Sequence, residues 1–100
     1  MKNKEDVIKL LSDVPGDRCF WCSSGQVFRN LNDLAAGFES MSEDTYKSHA
    51  NKDKNDFKNW VTDIIGDKKL AMELLKARSK KSAAEKVKKR VAELKKKKVK

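Results

Sequence analysis

Apolar residues along this chain return at intervals of three and four in most stretches, and at intervals of two in one. Val7, Ile8, Leu10 and Leu11 in "KEDVIKLLSD" predict an amphipathic helix, closed by the proline and glycine of "VPGD". Next comes "RCFWCSSGQVFRN", rich in aromatics, with "SSG" as a turn between Arg18–Cys22 and Gln26–Arg29. It reads as a short β-hairpin with Phe20 and Cys22 on one face of the first strand and Cys19 and Trp21 on the other. The helical interval then returns. Leu31, Leu34, Ala35, Phe38 and Met41 make "NLNDLAAGFESM" a helix capped by Asn30 or Asn32, and Gly37 within it points to a close neighbour.

Ser42 starts a short helix with Tyr46 on its inner side, and "NKDKN" is a polar loop. Asn55 or Asp56 caps "DFKNWVTDIIG", whose Phe57, Trp60, Val61, Ile64 and Ile65 form one apolar stripe. Gly66 is the left-handed stop and Asp67 caps the next helix, with Leu70, Ala71, Leu74 and Leu75 as its buried face. A break near "RSKKS" leads to a last helix over roughly 79–97, where Ala84, Val87, Val91 and Leu94 make a narrow seam. The expected architecture is a small α+β domain, mostly helical, with one hairpin near 18–29 and a basic C-terminal helix.

Charge divides the chain unevenly. Residues 76–100 hold thirteen Lys and Arg against two acids, a net of +11, whereas residues 1–75 hold eleven against thirteen, a net of −2. The expected organisation is a compact body over 1–75 and a lysine-rich helix and tail over 76–100. No run approaches the roughly eighteen apolar residues of a membrane span. The charged, broken apolar start is unlike a secretory signal, so a cytoplasmic setting with reduced cysteines is expected.

Between Arg29 and about Arg78 the chain carries Met41, Ser42, Tyr46 and His49, then "NDFKNW" from Asn55 and "GDKKLA" from Gly66. This stretch resembles a small prokaryotic domain family, mainly archaeal and of unknown function, with a His…NDFxxWVxDxxGDxxLA pattern. The resemblance implies no activity or cofactor. Its recognisable residues are those of caps, turns and core, and the lysine-rich C-terminus lies outside the pattern.

Candidate chemistry is sparse. Cys19 and Cys22 form a C-x-x-C pair, but a redox pair needs its first thiol at a helix N-terminus, and a strand turns positions i and i+3 to opposite faces. A structural zinc site needs four ligands, and the chain offers Cys19, Cys22 and His49, leaving a fourth to an Asp, a water or a second copy. The plainer reading puts Cys22 in the core and Cys19 near the edge. His49, with Asp44, Asp53 and Asp56 nearby in sequence, has the makings of a carboxylate-oriented base, yet no nucleophile accompanies it. A packed or capping histidine is expected, and Asp56, Asp63 and Asp67 read as caps and solvent-facing charges. Phe20, Trp21 and Phe28 are of the kind that stack on unpaired bases, but interleaved basic residues are missing and the core needs the rings. No enzyme, cofactor or metal is expected.

The basic helix carries the functional reading. Lys80, Lys81, Lys86, Lys88, Lys89, Arg90, Lys95, Lys96, Lys97 and Lys98 surround its seam, with Glu85 and Glu93 set to pair with Lys89 and Lys97. Residues 76–100 have eleven lysines to two arginines, and no Asn or Gln follows residue 59. Lysine is a point charge suited to phosphate rather than to base edges. The expectation is therefore a non-enzymatic protein gripping nucleic-acid backbone without sequence preference, DNA first in a chromatin-like role and RNA or the ribosome close behind. The competing expectation is a protein-interaction module on 1–75 whose tail is merely solvated.

Overall fold

The computed structural model describes residues 4–98, with side chains described for 6–97. Six α-helices and one hairpin make a small α+β domain: α1 Lys4–Leu11, β1 Phe20–Trp21, β2 Val27–Phe28, α2 Leu31–Ser40, α3 Glu43–His49, α4 Asp56–Trp60, α5 Lys68–Lys76 and α6 Lys80–Lys98. The strands pair antiparallel, Phe20 with Phe28 and Trp21 with Val27, so only the centre of the expected hairpin makes a ladder. The alternation holds. Phe20 and Cys22 are buried, Cys19 is half-buried and Trp21 is exposed.

Side-chain caps set most helix starts. Asn30, Ser42, Asn55 and Asp67 each accept a backbone N–H three residues on, satisfying a donor that a helix start leaves unpaired. The helix from Asp56 does not run to Ile65 as a regular α-helix. It widens to a π-helical turn over Val61–Ile65, which Gly66 ends at φ 88° with its N–H donating to Val61 O at 2.8 Å. A glycine takes that backbone conformation without the strain a Cβ brings. Trp60, on the last turn of α4, donates its indole N–H to Arg18 O at 2.8 Å and ties this helix to the approach to β1.

One core gathers Val7 and Leu10 of α1, Phe20 and Phe28 of the hairpin, Leu34 and Phe38 of α2, Phe57 and Trp60 of α4, and Leu70 and Leu74 of α5. Aromatic rings dominate its centre: Phe57 lies 5.0 Å from Phe20, 4.8 Å from Phe38 and 5.8 Å from Tyr46 between centroids. Gly37 is required by this packing, since a Cβ there would land inside the Phe28 ring. Two apolar positions break the expected pattern. Ile8 is 41% exposed, and Leu75, expected inside, is 49% exposed because α5 turns only Leu70, Ala71 and Leu74 inward.

Helix α6 closes the core. Ala83, Ala84, Val87, Val91 and Leu94 are all buried, and the helix lies chiefly against α2, with α1 and α5 at its flanks. The expected seam is thus present, widened by Ala83.

Candidate nucleic-acid interface

Everything that α6 presents to solvent follows from how its seam is seated. Ser79 accepts the Ser82 N–H at 3.1 Å and so opens the helix immediately after the chain leaves α5. With the seam inward and 100° per residue, Lys81, Lys88 and Lys95, seven apart, stack along one outward line. Lys89 and Lys96 occupy the adjacent line. All five are exposed. Each step along a line is about 10 Å, and the helix presents them on a rigid support rather than on a loose tail.

Arg90 does not belong with them. It was expected on the phosphate-binding surface, but it is 4% exposed and bonded to Asp67, which is fully buried. Arg90 Nε donates to Asp67 Oδ2 at 2.7 Å and Nη2 donates to Oδ1 at 3.2 Å, while Nη1 lies 3.6 Å from Glu93 Oε2. The planar guanidinium fits the carboxylate as a two-toothed fork, which a lysine cannot do. Asp67 also accepts the Leu70 N–H at 3.1 Å, so one carboxylate caps α5 and anchors α6. Its reading as a cap holds, but it does not face solvent.

The sequence held a signal for this. Arg90 stands three residues after Val87 and four before Leu94, on the line of the seam, and it is the one arginine of the helix. Reading the lysine run as uniform hid it.

The remaining cations divide by partner. Lys88 Nζ donates to Glu39 Oε2 at 2.8 Å, but both side chains are more than half exposed, 55% and 54%. Such a pair contributes about 0–1 kcal/mol and yields readily to a phosphate. Lys86 is only 28% exposed and faces Glu73 at 3.7 Å, at the edge of the interface rather than on it. Lys80 is half-buried at the first turn, and Lys97 is exposed on the flank of Glu93. The Lys98 side chain lies outside the described residues. Glu93 does not turn to Lys97 for its ion pair. It accepts from Lys69 Nζ at 3.2 Å, and that hydrogen bond, with Arg90 and Lys97 close by, holds its carboxyl below the usual glutamate value against partial burial. The expected Glu85–Lys89 pair is not among the ion pairs of the described residues.

The other candidates fall into structural places. Ser23 N–H donates to His49 Nε2 at 3.1 Å, and His49 Nδ1 lies 2.9 Å from Asp56 Oδ2. Because a backbone N–H only donates, Nε2 is the acceptor, and Nδ1 carries the proton given to Asp56. The nitrogen that a general base would use is occupied. His49 instead clamps the hairpin turn to the start of α4, with its ring 5.3 Å from Phe20 and 5.4 Å from Phe57. Burial pushes the Asp56 carboxyl up, but hydrogen bonds from His49 and Lys54 outweigh it and hold it below the usual aspartate value.

Both thiols are free, with Cys19 Sγ 3.7 Å from Pro15 O and Cys22 in the core. Among the described residues no three His, Cys, Asp or Glu side chains come together to hold a metal ion. Phe20 and Phe28 stack on each other at 5.7 Å inside the core, whereas Trp21 is 71% exposed. The core thus takes two of the three hairpin rings and leaves the third outside.

No protein-family model matches this chain, and no curated protein or solved structure shows significant similarity to it. Within residues 29–78, Asn55 and Asp67 cap, Gly66 turns, Phe57 and Trp60 fill the core, and His49 holds Asp56. No described helix is long and apolar enough to cross a membrane.

Proposed function

We propose that this protein binds nucleic-acid backbone, without reading sequence, through the outward face of α6. The carrying observation is the double line of exposed lysines, Lys81, Lys88 and Lys95 beside Lys89 and Lys96, on a helix whose opposite face is fixed in the core. Lysines spaced along a rigid rod meet a regular array of phosphates, and each contact releases condensed counterions. The lack of an exposed arginine, Asn or Gln on this face leaves base edges unread. Duplex DNA is the polyanion named first, in a coating role. The role of Arg90 is to hold the helix in place, and it contributes no phosphate contact.

The test is binding of the full chain to a labelled DNA duplex, an RNA hairpin and a single strand across a salt series. Five phosphate contacts predict that log K falls against log salt with a slope of about −4.5 on duplex DNA. Similar affinity for unrelated duplexes is expected. Loss of the steep slope on reversing Lys81, Lys89 and Lys96 to Glu ties it to this face. A protein that ignores all three polyanions at low salt ends the reading, and a clear preference for the hairpin moves it from DNA to RNA.

A further inference from the structure

A second basic surface lies away from the outer face of α6. The loop after α3, the exposed side of α4 and the end of α5 surround an open cleft of about 650 Å³. Lys47, Lys52, Lys54, Lys58 and Arg78 line it against a single acid, Asp53. The concavity is within the usual size of a small-ligand site, and low-dielectric walls focus the field of its cations.

Its floor is built rather than loose. Asn51 donates its amide N–H to Lys47 O at 2.9 Å and accepts Asp53 N–H at 3.0 Å, while its backbone N–H reaches Lys54 O at 2.8 Å. Asn55 caps α4 and donates to Leu74 O at 3.4 Å, joining the loop to α5. Both asparagines thus spend their amides on the frame. Lys54, about half exposed, pairs with Asp56 at 3.2 Å.

What remains for a ligand has a distinct chemistry. Lys52, Asn59 and Arg78 are exposed in the cleft wall, and Leu75 offers an apolar surface there, 49% exposed. Cations alone would describe any anion. An exposed leucine and a spare carboxamide beside them describe an anion with a flat, partly apolar body. A carboxamide matches the N6 and N7 edge of adenine, and a guanidinium matches two phosphate oxygens at once.

We propose that this cleft is a binding site for a phosphate-bearing ligand of nucleotide size, whether free or as a unit of a single strand. Lys52, Lys58 and Arg78 take the phosphate, Leu75 meets the face of the base, and Asn59 meets its edge. The site is independent of the α6 reading, since none of its cations comes from the outer lines of that helix.

The experiment follows backbone amide shifts of the isotope-labelled full chain during titration with AMP, with adenosine and inorganic phosphate as parallel titrants. Shifts at Asn59, Leu75 and Arg78, and an affinity for AMP about tenfold above either fragment, are expected. The exposed-residue variant Lys52→Glu/Arg78→Glu should lower AMP affinity by about tenfold or more while leaving duplex binding in place. A phosphorylated dinucleotide binding more tightly than AMP assigns the site to a strand, and equal binding assigns it to a free nucleotide. Phosphate binding as well as AMP makes the site that of an adventitious ion only and overturns the proposal. So does an absence of shifts in the cleft. In the unmodified protein, an absence of duplex binding beside AMP shifts in the cleft would sink the α6 reading alone.

Discussion

The two sides of α6 use the same charge for opposite ends. On the inner side, Arg90 gives its guanidinium to the buried Asp67, and the charge serves to seat the helix. One residue earlier, Lys89 stands in solvent, and its charge is left for a partner. The lesson is that cationic residues in a basic run are not equivalent: the seam line decides which are structural and which are offered outward.

The largest effect should come from breaking the inner side. Arg90→Ala leaves a buried, uncompensated carboxylate at Asp67, and a loss of about 3–5 kcal/mol is expected in urea unfolding. Arg90→Lys should recover only part of it, since the two-toothed fit is lost. An Arg90→Ala protein as stable as wild type, but weak on DNA, would return this residue to the outer surface.

Apolar truncation beneath the same helix comes next. Leu94 is fully buried, and Leu94→Ala should cost about 2–5 kcal/mol by the same measurement. Gly37→Ala, on the helix against which α6 mainly rests, drives a methyl into the Phe28 ring and should cost about 1–3 kcal/mol.

Acid should act more gently. Asp56 and Glu93 both titrate below their ordinary values of 3.8 and 4.5 in the folded protein. Depressed carboxyls add stability that is fully present above those ordinary values and lost as pH falls through the folded ones. Thermal midpoints should therefore hold steady down to about pH 5 and decline below it. Asp56→Asn with Glu93→Gln should flatten that decline, and an unchanged profile would show that neither pair contributes.

The smallest stability effect belongs to the outer side. Lys89→Glu with Lys96→Glu should shift unfolding by no more than about 0.5 kcal/mol. The same pair should take about 1.8 from the salt slope on duplex DNA. If instead the protein unfolds and the slope is unchanged, the two sides have been assigned the wrong way round.

Sequence alone determined much of this fold, for reasons that are local. The helix start at Ser42, the cap at Asp67, the stop at Gly66 and the alternation of the hairpin depend on residues a few positions apart and are visible as pattern, whereas the structure chose Asn30 over Asn32 and Asn55 over Asp56 as caps. The lysine-rich helix and its seam were legible in the same way. Gly37 showed its need for a neighbour, though not that the neighbour is Phe28.

Only the tertiary structure decided what depends on distant segments meeting. Asp67 and Arg90 are twenty-three residues apart, and Ser23 and His49 twenty-six. The cleft takes its cations from α3, the following loop, α4 and the link after α5. Such pairings leave no periodic trace, because periodicity records which face of an element is buried and not what is buried against it. That is why composition pointed to a basic helix, and packing chose which of its charges face outward.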